Sequence, residues 1–181
     1  MKIFLALGME MGNWEEYGNM TYNIMVNQNR IVLTEEQYSV WLLGQQAGFT
    51  LDKAAEYLKK NVFLVDTLIR DLIHLKVIIY WDEHTLSELS NYYLTPRGHA
   101  GSMNNNGEQL LISYVHAEPI AVDSFGHNLW VHSNAFVPLH ETLIILSSKL
   151  NITLEEAYTD CYYWVAFLVR HGLAVLNAPR N

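Results

Sequence analysis

Cysteine is nearly absent from this sequence, occurring once, at Cys161, in 181 residues. A lone cysteine excludes an intramolecular disulfide and any zinc site built from cysteine pairs, and it fits a reducing cytoplasm. Positive charge is scarce too: 11 Lys and Arg stand against 19 Asp and Glu, a formal net charge of -8. That balance excludes strong nonspecific affinity for nucleic acid while leaving room for one local basic face. Long apolar runs are missing, since the longest, Cys161 to Val169, is about half of the ~20 residues that a membrane-spanning helix needs. The N-terminal stretch Ile3 to Leu7 soon meets Glu10, with no small-residue cleavage site after it, so a secretory signal is not expected. The chain reads as soluble, cytoplasmic and without a membrane partner.

What the sequence has in quantity is apolar side chain, 50% of residues, with 12% aromatic and only 17% charged. Such a chain buries enough surface to offset its conformational entropy, which excludes a disordered acidic tail. Leu33 to Tyr80 divides into three helical pieces. Thr34 caps the first, Gln37 completes a capping box, and Tyr38, Trp41, Leu42 and Gln45 follow at helical spacing until Gly48 ends it. Thr50 caps a second, Leu51 to Lys60, with Asp52 in its first turn and Lys59-Lys60 at its end, each where the helix dipole favours it. After Asn61 a third carries Val65, Leu68, Leu72 and Leu75 as one apolar stripe, and Val77 to Trp81 has the composition of a strand.

The same grammar returns later. Phe136 to Leu150 reads as a helix, Asn151 stands where Gly48 stood, and Thr153 caps Leu154 onwards with Glu156 completing its box. Gly48-Phe49-Thr50-Leu51 and Asn151-Ile152-Thr153-Leu154 thus read as one turn used twice, and Leu168 to Val175 parallels Leu72 to Ile79. Val26 and Asn29 are echoed by Val131 and Asn134, in regions that alternate like hairpin strands. The expectation is a duplicated α+β chain with a first module over 1–100 and a second over 108–181, split at Gly101 to Gly107.

Three short helices followed by a hairpin is the plan of a winged helix. Tyr93-Leu94-Thr95-Pro96-Arg97-Gly98 resembles the Leu-Thr-Pro-x-Gly stretch that closes the wing in winged helix-turn-helix regulators of the MarR and PadR type. The resemblance implies two tandem winged-helix-like modules, each of three helices and a β-hairpin wing, the first wing running from Val77 to Tyr93. It also implies a third helix in the major groove and a wing on phosphate. The candidate DNA contacts are then Lys53, Lys59, Lys60, Asn61, Thr67, Arg70, His74, Lys76 and Arg97. Asp52, Glu56, Asp66 and Asp71 oppose them in the same segment, as do Asp82, Glu83 and Glu88 in the wing. In the second module the third helix, Tyr162 to Arg170, is too apolar for a groove. Tyr162, Tyr163, Trp164 and Phe167 are expected instead at an interface, implying self-association as a homodimer.

A second reading has no DNA in it. A strand pair ending in Asn29 to Leu33, then a helix, then a Thr-capped helix, also resembles the small PqqD-type winged helices that present peptides to modifying enzymes. That resemblance implies an adaptor that adds a peptide as a strand to a sheet edge. The acidic balance and the aromatics Trp14, Tyr17, Tyr22, Trp41, Tyr80, Trp81 and Trp130 suit a protein or peptide partner.

Catalytic and metal chemistry find little support. Of the eight histidines, His116, His127, His132 and His140, with Glu118 and Glu141, follow no ligand spacing, and His127 and His132 fall on opposite faces of an expected strand. Cys161 has no adjacent cation to activate it. No Gly-x-Ser-x-Gly elbow or phosphate-binding glycine loop occurs. Neither enzyme activity, nor a metal, nor a cofactor is expected.

Overall fold

A computed structural model describes residues 3–16, 18–45, 48–81, 90–114 and 118–179. The chain is α+β and divides after Asp82 into two compact units. The first contains strands β1 (Ile3–Ala6), β2 (Met9–Glu16), β3 (Asn19–Val26) and β4 (Asn29–Leu33), helices α1 (Glu35–Gln45), α2 (Leu51–Leu58) and α3 (Val62–His74), and strand β5 (Ile78–Trp81). The second runs through β6 (Tyr93–Pro96), β7 (His99–Met103), β8 (Gln109–Ile112), β9 (Ile120–Val122), α4 (Ser124–His132), α5 (Leu139–Leu150), α6 (Leu154–Arg170) and β10 (Ala174–Asn177). The order of elements is the same in both: one strand, a three-stranded antiparallel meander, three helices, and a last strand that returns to pair with the first.

Details of the backbone repeat with the topology. Gly8 follows β1 and Gly98 follows β6, both at positive φ, and a Cβ on either would lie about 2 Å from the carbonyl oxygen of the central meander strand, Met25 in one unit and Ile112 in the other. Leu7 N–H donates to Val77 O at 2.8 Å, and Arg97 N–H donates to Leu173 O at 2.7 Å. The third helix ends alike in both, with Val77 N–H on Leu72 O and Leu173 N–H on Leu168 O. Lys59 and Asn151, both left-handed, close α2 and α5.

This register corrects the one expected from sequence. Asn151 corresponds to Lys59 and Thr153 to Asn61, one helix later than the match with Gly48 and Thr50. The slip has a physical source: a cap, an apolar stripe and a left-handed stop begin and end any helix, so they do not say which helix. The boundary moves as well. Asn104 to Gly107 is the tight turn between β7 and β8, inside the second unit. Val131 belongs to α4, as do His127 and His132, none of them on a hairpin strand. Thr153 and Glu156 do form their capping box, but the helix they start runs unbroken to Arg170.

The expected wing is also redistributed. β5 pairs with β1, and β6, which carries Leu94-Thr95-Pro96, pairs with β10, so the two do not pair with each other. Asp82, Glu83 and Glu88 lie outside the described residues. Each unit has its own core, with Leu5, Leu7, Ile24, Trp41, Ile69, Leu72 and Trp81 in the first and Leu94, Leu111, Leu129, Leu146, Leu168 and Leu173 in the second. The short first strand is buried from Phe4 to Ala6, where it packs against both its partner strand and the first helix. In α4, Gly126 lets the Trp164 ring lie against the helix backbone, where a Cβ would come within 2.5 Å of that ring.

Candidate functional site

The first-unit cations proposed for DNA contact lie on α2 and α3 or just past their ends, and two of them are ion-paired locally. Lys60 Nζ contacts Glu36 Oε1 at 2.5 Å, and Arg70 Nε donates to Asp66 Oδ2 at 2.8 Å. The Asn61 side chain caps α3 by accepting from Phe63 N–H, and Thr67 Oγ1 donates back to Phe63 O. Lys53, Lys59, His74 and Lys76 are exposed, with Asp52, Glu56 and Asp71 exposed on the same helices. Arg97 belongs to the second unit, between β6 and β7, while the other candidates belong to the first. The first turn of α3, where a groove-reading helix places base-contacting side chains, presents Phe63 at 76% and Leu64 at 54% exposure.

The sheet beside these helices offers a different kind of surface. Its order is β2-β3-β4, so β4 is an edge. Asn27, left-handed at φ 57, and Gln28 form the two-residue turn into it, with Val26 opposite Asn29. In such a hairpin the pair next to the turn is hydrogen-bonded and the pattern then alternates, which turns the N–H and C=O of Arg30 and Val32 away from β3. Tyr22, Ile24 and Leu33 face the helices, while Thr21, Asn23, Arg30 and Val32 face outward, and Val32 is 48% exposed.

Arg30 ties this edge to the rest of the sheet. Its Nε donates to Asn23 Oδ1 at 2.7 Å, its Nη2 pairs with Glu16, and its guanidinium lies 4.8 Å from the Trp14 ring centroid. Trp14 Nε1 donates to the same Glu16 oxygen at 2.8 Å. One side chain thereby spans three strands and covers Asn23, which is fully buried. The hydrogen bond from Arg30, with a second from Trp14, holds the Glu16 carboxyl below its usual range. Arg30→Met is expected to return that carboxyl toward 4.5, read by NMR titration, and to lower Tm only slightly, on the order of 3 °C, because the pair is half exposed.

No protein family, curated protein or solved structure matches the chain.

The second unit places the remaining candidates. Among the four aromatics expected at an interface, Trp164 is buried, Tyr162 and Phe167 are half-buried, and Tyr163 stands 58% exposed. Trp164 meets Phe167 and Tyr163 edge-on, at 5.0 and 5.2 Å between centroids. Burial pushes the Cys161 thiol up to about 12, which leaves it protonated and inert at neutral pH. Among the described residues no three His, Cys, Asp or Glu side chains gather as a metal site would need; His116 lies outside them. No helix among them is long and apolar enough to cross a membrane.

His127 is the titrating group with the clearest consequence here. Burial, then Lys149 and His132 nearby, lower its pKa from 6.5, and Lys149 Nζ sits 3.0 Å from His132 Nε2. The unfolded chain takes up a proton near 6.5 that the folded unit resists, so stability falls as pH drops through that value. His127→Asn is expected to flatten this slope between pH 7 and pH 5 in urea midpoints; an unchanged slope would exclude His127 as its source.

Proposed function

We propose that this chain is a non-enzymatic adaptor that holds an extended segment of a partner protein, adding it along β4 as a fourth strand of the first unit's sheet. This is the PqqD-type reading of a winged-helix-like module, here duplicated. The observation that carries it is β4 itself, an unpaired edge among the described residues whose outward N–H and C=O groups alternate at Arg30 and Val32. A backbone template of this kind recognises any extended segment, with side-chain contacts supplying selectivity. Lys60 Nζ contacts Glu36 in the first turn of α1, and Phe63 and Leu64 stand exposed at the start of α3, a few residues further along the chain.

The winged-helix regulator reading is favoured less, because the strands expected as its wing have other partners and the tip of α3 is apolar. The deciding experiment pans the full chain in parallel against a random dodecapeptide library and random duplex DNA, at low and near-physiological salt. Enriched peptides without an enriched duplex motif are expected. A duplex motif that survives near-physiological salt, with no peptide enriched, would replace the adaptor by a DNA-binding regulator.

A further inference from the structure

Resting on that reading, we infer that the segment held at β4 carries basic residues, and that the matching edge of the second unit, β9, is closed to strand addition.

The two edges can be compared residue by residue. Leu33 and Val122 are both buried, both end the third meander strand, and both precede the residue that caps the following helix, Thr34 or Asp123. Counting back, Val32 matches Ala121, Ile31 matches Ile120, and Arg30 matches Pro119. The facing strand agrees, because Ile24 lies opposite Ile31 and Leu111 lies opposite Ile120.

Proline therefore stands where β4 turns an N–H outward. It has no N–H to donate, and it interrupts an edge at an outward position without costing the inner ladder a bond. β9 also ends there: it spans three residues against five in β4. The Arg30 side chain that pins β4 across its sheet is lost at the same position. A short, proline-flanked edge offers a segment too few bonds to offset the entropy of ordering it. The third meander strand is thus open in one unit and blunted in the other.

Charge selects the segment. The chain carries a net charge of -8, the cation on β4 itself, Arg30, is paired with Glu16, and Glu35, exposed in the first turn of α1, stands two residues past the end of β4 with no ion pair of its own among the described residues. A segment bearing Lys or Arg is favoured there over an acidic one.

The probe is a synthetic copy of the most enriched dodecapeptide, titrated calorimetrically into the full chain and followed by amide hydrogen exchange. The expected result is one peptide per chain, Lys or Arg in the peptide, and new protection confined to residues 29–33 at this level of edge contact. Val32→Pro, which carries the device of Pro119 into β4, is expected to weaken binding about 20-fold or more while the far-UV spectrum stays unchanged. Protection at residues 120–122 would overturn the closure of β9 and leave strand addition standing. Enrichment of acidic peptides would overturn the charge assignment. Protection at β2 or β7 in place of β4 would overturn the assignment to β4, and no enriched peptide, or binding that protects none of the edge strands β2, β4, β7 and β9, would overturn strand addition itself.

Discussion

Replacing Gly98 by alanine is expected to cost the second unit about 2–5 kcal/mol, the sum of two penalties at one atom. Gly98 has φ +95, and the added Cβ would lie 2.1 Å from Ile112 O. A left-handed residue with a Cβ costs about 1–2 kcal/mol, and overpacking typically adds about 1–3 kcal/mol. The obstacle is backbone in the middle of a three-stranded sheet, so no side chain can swing aside to relieve it. Gly107 separates the two contributions. It has φ +79 with nothing within 4 Å, so Gly107→Ala is expected to cost only the conformational part, about 1–2 kcal/mol. Urea denaturation of the two variants measures the difference directly. Equal destabilisation would show that the sheet moves away at Gly98. Gly8→Ala, with its Cβ 2.2 Å from Met25 O, is expected to repeat the larger effect in the first unit.

That pair of glycines shows what the sequence carried and why part of it was hard to read. A repeated order of elements was partly legible, and so were the caps at Thr34, Thr50 and Thr153, because capping is a local interaction with a local signature, whereas Asn61, expected as a base contact, caps α3. The register of the repeat was not. Helix grammar is periodic over one helix and its turn, so a slip of a whole helix preserves it, whereas Gly8 and Gly98 are fixed by contact with a distant strand and admit one alignment only. The pairing of β1 with β5 was hidden for a related reason. Ile3 to Ala6 is a short apolar run with no alternation, and its partner lies more than seventy residues away in the chain. For the same reason Val77 to Trp81 reads as half of a local hairpin.

The candidate site was half visible. Asn29 to Leu33 was readable as the end of a strand pair, but edge status depends on which strands are absent beside it, and periodicity carries nothing about that. Arg30 drew no attention because its partners Trp14, Glu16 and Asn23 come from two other strands. The cations of α2 and α3, conspicuous in the sequence, turn out to be partly neutralised by Glu36 and Asp66. The Arg30 and Pro119 contrast was present in the sequence from the start, yet it has meaning only once the two units are aligned by their glycines and buried strand ends.

Trp41→Ala is expected to be the most damaging single change in the first unit. The side chain is 1% exposed, and its Nε1 donates to Leu7 O at 2.9 Å. Its ring also stacks on Tyr38, 5.9 Å away, which in turn stacks on Tyr22 at 4.7 Å, so one aromatic row joins α1 to the inner face of β3. Emptying that volume costs about 3–5 kcal/mol, and the buried carbonyl left without its donor adds about 1–3 kcal/mol. Set against a domain stability of about 5–15 kcal/mol, the loss leaves the first unit largely unfolded near 37 °C and removes the β4 edge with it. Trp41→Phe keeps most of the ring and loses the donor, so about 1–3 kcal/mol is expected. The duplicated position supplies the control. Trp130 occupies the matching place in α4 and donates from Nε1 to Leu173 O at 2.8 Å, but it is only half-buried. Trp130→Ala is therefore expected to be milder, and it leaves peptide binding at β4 intact if each unit folds on its own core. Thermal melts of the three variants, each paired with a peptide titration, test the ordering, and a Trp130→Ala variant as damaged as Trp41→Ala would show that the two cores do not stand independently.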